Sequence, residues 1–191
     1  MNQRDIRAIA IGASAGAVQA LLKLLPGLPA DCAVPVFLVV HVPPDRGNAL
    51  VGLFADKCRL RVKEAEDKEE ARAGTIYFAP SDYHLLVEKD GTLSLAMDEP
   101  VNHSRPAIDV LFESAADAYG EGLLGVVLTG ANHDGAAGLR AIAALGGKAL
   151  VEDPGTAASP TMPAAALAAC PTAEARDLAG LAEYLQRVAA P

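Results

Sequence analysis

The stretch Ala8-Ile9-Ala10-Ile11-Gly12-Ala13-Ser14-Ala15-Gly16-Ala17 decides how the rest of the chain is read. The run from Ile6 to Ile11, apolar except for Arg7, predicts a buried strand. It stops at Gly12, and apolar residues return at helical spacing with Val18, Leu21, Leu22 and Leu25 until Pro26. Ser14 therefore falls in a tight strand-to-helix turn, among the N–H groups of a helix amino terminus. Such a turn offers donors to a developing negative charge, and glycines let the backbone approach a bound group. The serine has two readings there, a nucleophile or an N-cap. A dinucleotide site fits less well. The glycines are Gly12 and Gly16 rather than G-x-G-x-x-G, and the second strand runs out in Val39-Val40-His41-Val42-Pro43 with no acidic residue. Gly12 to Gly16 also spells G-x-S-x-G, the nucleophile elbow of α/β-hydrolases, but that fold needs several strands ahead of the elbow and there is room for one.

The size and composition narrow the classes. A chain of 191 residues is expected to form one domain with a substantial core. Apolar residues make up 51% and charged residues 21%, a globular rather than disordered balance. The formal net charge of −8, without a local basic patch, argues against nucleic acid and anionic membrane surfaces as partners. The densest charge run, Lys63 to Arg72, is mixed in sign and predicts a solvated loop or strand edge. Three widely spaced cysteines (Cys32, Cys58 and Cys170) give neither a disulfide framework nor a zinc motif. The polar start Met1-Asn2-Gln3-Arg4-Asp5 is no signal peptide, and no apolar run reaches a membrane span. The expectation is a cytoplasmic protein that does not insert into membranes.

Working outward, Val34 to Val40 is continuously apolar, as a strand covered on both faces should be, and His41 lies at its carboxyl end. Asn48 to Cys58 predicts a helix, and Ile76-Tyr77-Phe78 a short strand. Tyr83 to Glu88 and Thr92 to Ala96 flank Asp90-Gly91, a hairpin turn. Ser104 and Pro106 mark the start of a helix running to about Tyr119. Leu123 to Leu128 predicts a strand, closed by Thr129-Gly130-Ala131-Asn132-His133-Asp134-Gly135. A helix from Ala136 to Leu145, a strand from Lys148 to Val151, and helices over Ala164 to Ala169 and Ala173 to Ala189 complete the chain. The predicted class is α/β: a doubly wound, mostly parallel sheet flanked by helices, with one antiparallel hairpin.

Sheets of this kind bind ligands beyond the carboxyl ends of their strands, at the switch point. Ser14, His41 and Asp134 all follow strands there, and their types suit a nucleophile, a base and an orienter. Each also has a plainer role: a cap, a loop hydrogen bond, a turn. His84, His103 and His133 compete for the place of the base. The histidines and carboxylates lack H-E-x-x-H or comparable spacing, so no metal is expected.

On these residues the sequence resembles the catalytic domain of the chemotaxis protein-glutamate methylesterases. The matching stretches are Ile11-Gly12-Ala13-Ser14-Ala15-Gly16, His41-Val42-Pro43-Pro44, Ala79-Pro80 with His84, and Arg105-Pro106-Ala107-Ile108-Asp109-Val110-Leu111-Phe112. Leu128-Thr129-Gly130 through Asp134-Gly135-Ala136-Ala137-Gly138, then Glu152-Asp153-Pro154 with Met162-Pro163, complete the series. The resemblance implies a single methylesterase catalytic domain over residues 1–191, with Ser14 as nucleophile, His41 as general base and acid, and Asp134 as orienter. The backbone N–H groups of Ala15 and Ala131 are the expected oxyanion donors. It further implies hydrolysis of glutamyl γ-methyl esters on the cytoplasmic helices of chemoreceptors, with methanol released, and deamidation of receptor glutamines. No cofactor is expected, and other chemosensory proteins are further candidate partners.

Three departures stand out. The catalytic part begins at about Ile6, so control through an amino-terminal receiver domain is not expected. Gly16-Ala17 stands where the family commonly has Gly-Gly, and Ala131-Asn132 where it commonly has Met-Gly. The alternatives carried forward are a serine esterase or amidase with another substrate, and a non-catalytic receptor-binding module.

Overall fold

The structure, a computed structural model, describes residues 6–41 and 47–191. The amino-terminal Met1 to Asp5 and the Val42-Pro43-Pro44 part of the second matching stretch lie outside the described residues. In chain order the first elements are β1 (Ala8–Ala13), α1 (Ala17–Leu24), β2 (Val36–Val40) and α2 (Gly47–Ala55). Then come β3 (Arg61–Glu64), β4 (Thr75–Phe78), β5 (His84–Val87), β6 (Leu93–Ala96) and α3 (Ile108–Tyr119). The chain ends with β7 (Leu123–Val127), α4 (Ala136–Ala144), β8 (Lys148–Glu152), α5 (Thr161–Ala169), β9 (Glu174–Arg176) and α6 (Leu178–Ala189).

Seven strands form one parallel sheet in the order β3-β4-β2-β1-β7-β8-β9, and β5 and β6 form a separate antiparallel pair. The expected α/β class is what the chain adopts. β1 is the switch point, because the chain leaves it toward β2 on one side and later returns to its other side with β7. The charge run at Lys63 begins on β3, an edge strand, where solvent can reach it.

The alternating faces of β1 divide the core. Ile9, Ile11 and Ala13 join the cluster that includes Leu21, Leu24, Leu38, Phe54, Leu181 and Leu185, under α1, α2 and α6. Ala8 and Ala10 face the opposite cluster, with Ile108, Leu111, Phe112, Leu139 and Met162 from α3, α4 and α5. Small residues on this second face let α3 come close to the sheet. A Cβ on Gly12 would stand 2.3 Å from Ile108 Cγ2, inside any tolerable contact. Gly12 is thus required by packing beneath the site, and the amino end of α3 is seated against the end of β1.

Two sequence expectations are corrected, and one of the two readings of Ser14 is removed. The long helix from Ala173 is a strand and then a helix: β9 pairs with β8, and Asp177 caps α6 by accepting from Gly180 N at 2.8 Å. Proline does not open α3; its N-cap is Ala107, and the first helical N–H groups are met from elsewhere in the chain. Ser14 is not the cap of α1. That position is Gly16, whose φ of 85° lies in the left-handed region that side chains rarely adopt.

Candidate active site

The register of the three central strands brings the site together. Ala13 pairs with Val40, so Ser14 and His41 each lie one residue beyond the ends of adjacent strands. His41 N donates to Ala13 O at 3.0 Å, and on the other flank Ser14 N donates to Thr129 O at 2.9 Å. Adjacent strands run about 4.8 Å apart, so the Ser14 turn lies between His41 and the loop that leads to Asp134.

Asp134 is fully buried, and its carboxylate accepts five hydrogen bonds. Oδ2 receives Ile108 N at 2.6 Å and His41 Nε2 at 2.9 Å. Oδ1 receives Asn102 Nδ2 at 2.9 Å, Gly135 N at 3.0 Å and Asp109 N at 3.1 Å. Ile108 and Asp109 open α3, so the carboxylate caps that helix from another part of the chain and meets the positive end of its dipole. Burial pushes the Asp134 carboxyl up, but the bonds from His41, Ile108, Asn102 and Asp109 outweigh it and hold it below the ordinary carboxylate value. An ionised Asp134 is what the neighbouring histidine needs in order to keep its proton on Nε2.

Two asparagines complete this network, and neither carries a motif signal of its own. Asn102 Nδ2 bridges two buried carboxylates, reaching Asp109 Oδ2 at 2.7 Å as well as Asp134 Oδ1 at 2.9 Å. Asp109 is held further by Gly138 N, which donates to its Oδ1 at 2.7 Å. Asn132 Oδ1 accepts from Asp134 N at 3.1 Å, and its Nδ2 lies 3.3 Å from His41 Nδ1. The one sequence signal at Asn132 is the departure from the common Met-Gly pair.

Thr129 fastens the serine turn. Its hydroxyl donates to Ala15 O at 2.8 Å and accepts from Ser159 N at 2.8 Å. Its N–H donates to Glu152 Oε2 at 2.8 Å. Burial pushes the Glu152 carboxyl above its ordinary value, against the opposing effects of Thr129 N and Lys23. Ala15 and Ala131 are both exposed at the mouth of this region, and among the described residues no acceptor meets either N–H.

The three competing histidines are placed differently. His84 is buried and spent on structure, with Nδ1 accepting from Ala107 N at 3.2 Å and Nε2 donating to Glu99 O at 3.1 Å. His103 and His133 are exposed. His41 alone of the four contacts a buried carboxylate. No hydrogen bond joins the hydroxyl of Ser14 to His41; they are neighbours by register rather than bonded. Among the described residues no cluster of three or more His, Cys, Asp and Glu could hold a metal, and no helix is long and apolar enough to cross a membrane.

This arrangement can be set beside known proteins. The family model described as CheB methylesterase matches residues 9–185. The crystal structure of the Thermotoga maritima CheB methylesterase catalytic domain superposes with a TM-score of 0.89 at 30% identity, covering 96% of this chain and 98% of that one. A Leptospira interrogans relative, whose provisional name gives the activities protein-glutamate methylesterase and protein-glutamine glutaminase, is 44% identical over 96% of this chain and 95% of its own length. A Myxococcus xanthus protein-glutamate methylesterase/protein-glutamine glutaminase is 38% identical over 94% of this chain but only 52% of its own length.

Proposed function

The chain belongs to the CheB methylesterase family, and from that premise we propose that it hydrolyses glutamyl γ-methyl esters on the cytoplasmic helices of chemoreceptors, with Ser14, His41 and Asp134 as a catalytic triad. Deamidation of receptor glutamines is the parallel reaction, with ammonia in place of methanol. The observation that carries this reading is the His41–Asp134 pair, 2.9 Å apart and anchored at the amino end of α3, one strand from Ser14.

Because Nε2 of His41 faces Asp134, Nδ1 is the nitrogen that takes the Ser14 proton as Oγ attacks the ester carbon. The oxyanion forms at the mouth of the turn, where the N–H groups of Ala15 and Ala131 are the proposed donors. Collapse expels methoxide, which leaves as methanol with the proton from Nδ1. Water then repeats the sequence on the glutamyl ester of Ser14 and releases glutamate. Asp134 stays ionised throughout, holding the ring and stabilising the transient imidazolium. We assign the single catalytic domain to the whole chain and its setting to the cytoplasm, where receptor helices carry the methylated glutamates.

A fluorophosphonate tests the nucleophile independently of any receptor. The adduct should map to Ser14, and His41→Ala should abolish it. Labelling confined to another residue would remove the proposed mechanism.

A further inference from the structure

Both ring nitrogens of His41 are engaged: Nε2 by Asp134 Oδ2 at 2.9 Å, and Nδ1 by Asn132 Nδ2 at 3.3 Å. The orientation of the Asn132 carboxamide is fixed by its other end, since Oδ1 accepts from Asp134 N at 3.1 Å. The end facing the ring is therefore the NH₂ group, which can only donate. Nδ1 must then carry the lone pair and Nε2 the proton, in agreement with the carboxylate on the Nε2 side.

An imidazole nitrogen has one lone pair, and it lies in the ring plane. The mechanism above delivers the Ser14 proton into that same lone pair, so Asn132 and Ser14 are rival donors. Once the proton has moved, Nδ1–H would face an amide N–H, donor against donor. The contact thus favours the neutral resting ring and is lost in the transition state. Its length of 3.3 Å marks it as a weak hydrogen bond that can be given up. We propose that Asn132 is a positioning residue that holds the His41 lone pair in the resting site and must yield before Ser14 is activated. Among the described residues the charged groups toward the ring are Asp134, which faces Nε2, and Asp109, which lies behind Asn102.

The proposal rests on the reading of Ser14 and His41 as nucleophile and base, and it predicts a gain where loss of support would give a decline. Fluorophosphonate labelling provides the readout. The Oγ–H bond breaks as Nδ1–H forms, an Oγ–P bond replaces P–F, and fluoride leaves. Asn132→Ala should label about fivefold faster than the wild type, the weight of one neutral hydrogen bond. Asn132→Asp keeps the acceptor for Asp134 N but sets a carboxylate oxygen against Nδ1, drawing a proton onto it, so labelling should slow. ¹⁵N spectra of the His41 ring in mildly alkaline solution should show Nδ1 bare and Nε2 protonated in the wild type. In Asn132→Asp both nitrogens should be protonated. Unchanged or slower labelling of Asn132→Ala, unslowed labelling of Asn132→Asp, or a protonated Nδ1 in the wild type would each overturn the proposal. Should Asn132→Ala fail to fold, the other variant and the wild-type spectrum still decide. A wild type unlabelled at Ser14 but with a bare Nδ1 would sink the nucleophile and leave the Asn132 contact standing.

Discussion

His41 Nε2 and Asp134 Oδ2 lie 2.9 Å apart although 93 positions separate them in the chain, and the carboxylate is held from behind by the first two N–H groups of α3. The pair is therefore part of the packing of α3 against the sheet. Orientation of His41, the proposed base, is coupled to the seating of that helix, so variants in this region should report on activity and stability together.

Asp134→Asn offers the ring an amide in place of an anion and admits the other tautomer. Ester hydrolysis should fall by roughly 10³ to 10⁴-fold, as it does when a triad carboxylate is neutralised. The stability effect should depend on pH. The folded carboxyl lies below its ordinary value, so its contribution is fully present above about 3.9 and is lost as pH falls through the lower folded value. Urea melts should show the variant well below the wild type at neutral pH, with the gap narrowing in acid.

Asn102→Ala removes the one amide shared by Asp109 and Asp134 and leaves two buried carboxylates without their bridge. The expected cost is about 1–3 kcal/mol in denaturant unfolding, with a drop in kcat as Asp134, the proposed orienter, loosens. An unaltered midpoint would show that the bridge contributes nothing to stability, and an unaltered kcat that it does not hold Asp134 for the reaction.

Gly12→Ala would place a methyl 2.3 Å from Ile108 Cγ2. Relief requires α3 to move away from β1, and Ile108 N would move with it. A loss of about 1–3 kcal/mol is expected, accompanied by reduced activity.

Glu152→Gln keeps an acceptor for Thr129 N while removing a buried ionisable group. The folded carboxyl is raised, so its favourable contribution is complete below the unfolded value and is lost as pH rises through the folded one. The variant should match the wild type in acid and melt ~2–4 °C higher at neutral pH. A lower Tm at neutral pH would mean that the negative charge is needed there.

The sheet was legible because its strands are covered on both faces and read as unbroken apolar runs such as Val36 to Val40. Ser14, His41 and Asp134 stand out as candidates because each follows such a run. β9 was not legible: Glu174-Ala175-Arg176 is three residues long, mostly polar, and lies at an edge, so an alanine-rich helical pattern hid it. Asp177, a good N-cap, was the available signal for where α6 begins. Asn102 and Asn132 left no trace in periodicity or spacing, because their partners come from loops that only the folded chain brings together. The cap of α3 is not legible for the same reason: it comes from Asp134, not from the residues just before the helix.

The most direct measurement is methanol release by the purified chain from receptor helices carrying glutamyl methyl esters, for the wild type and for Ser14→Ala of matched fold by circular dichroism. The triad account predicts methanol equal to the esters lost with the wild type, and a fall of at least ~10³-fold in rate with the variant. Methanol release by Ser14→Ala at the wild-type rate would contradict it.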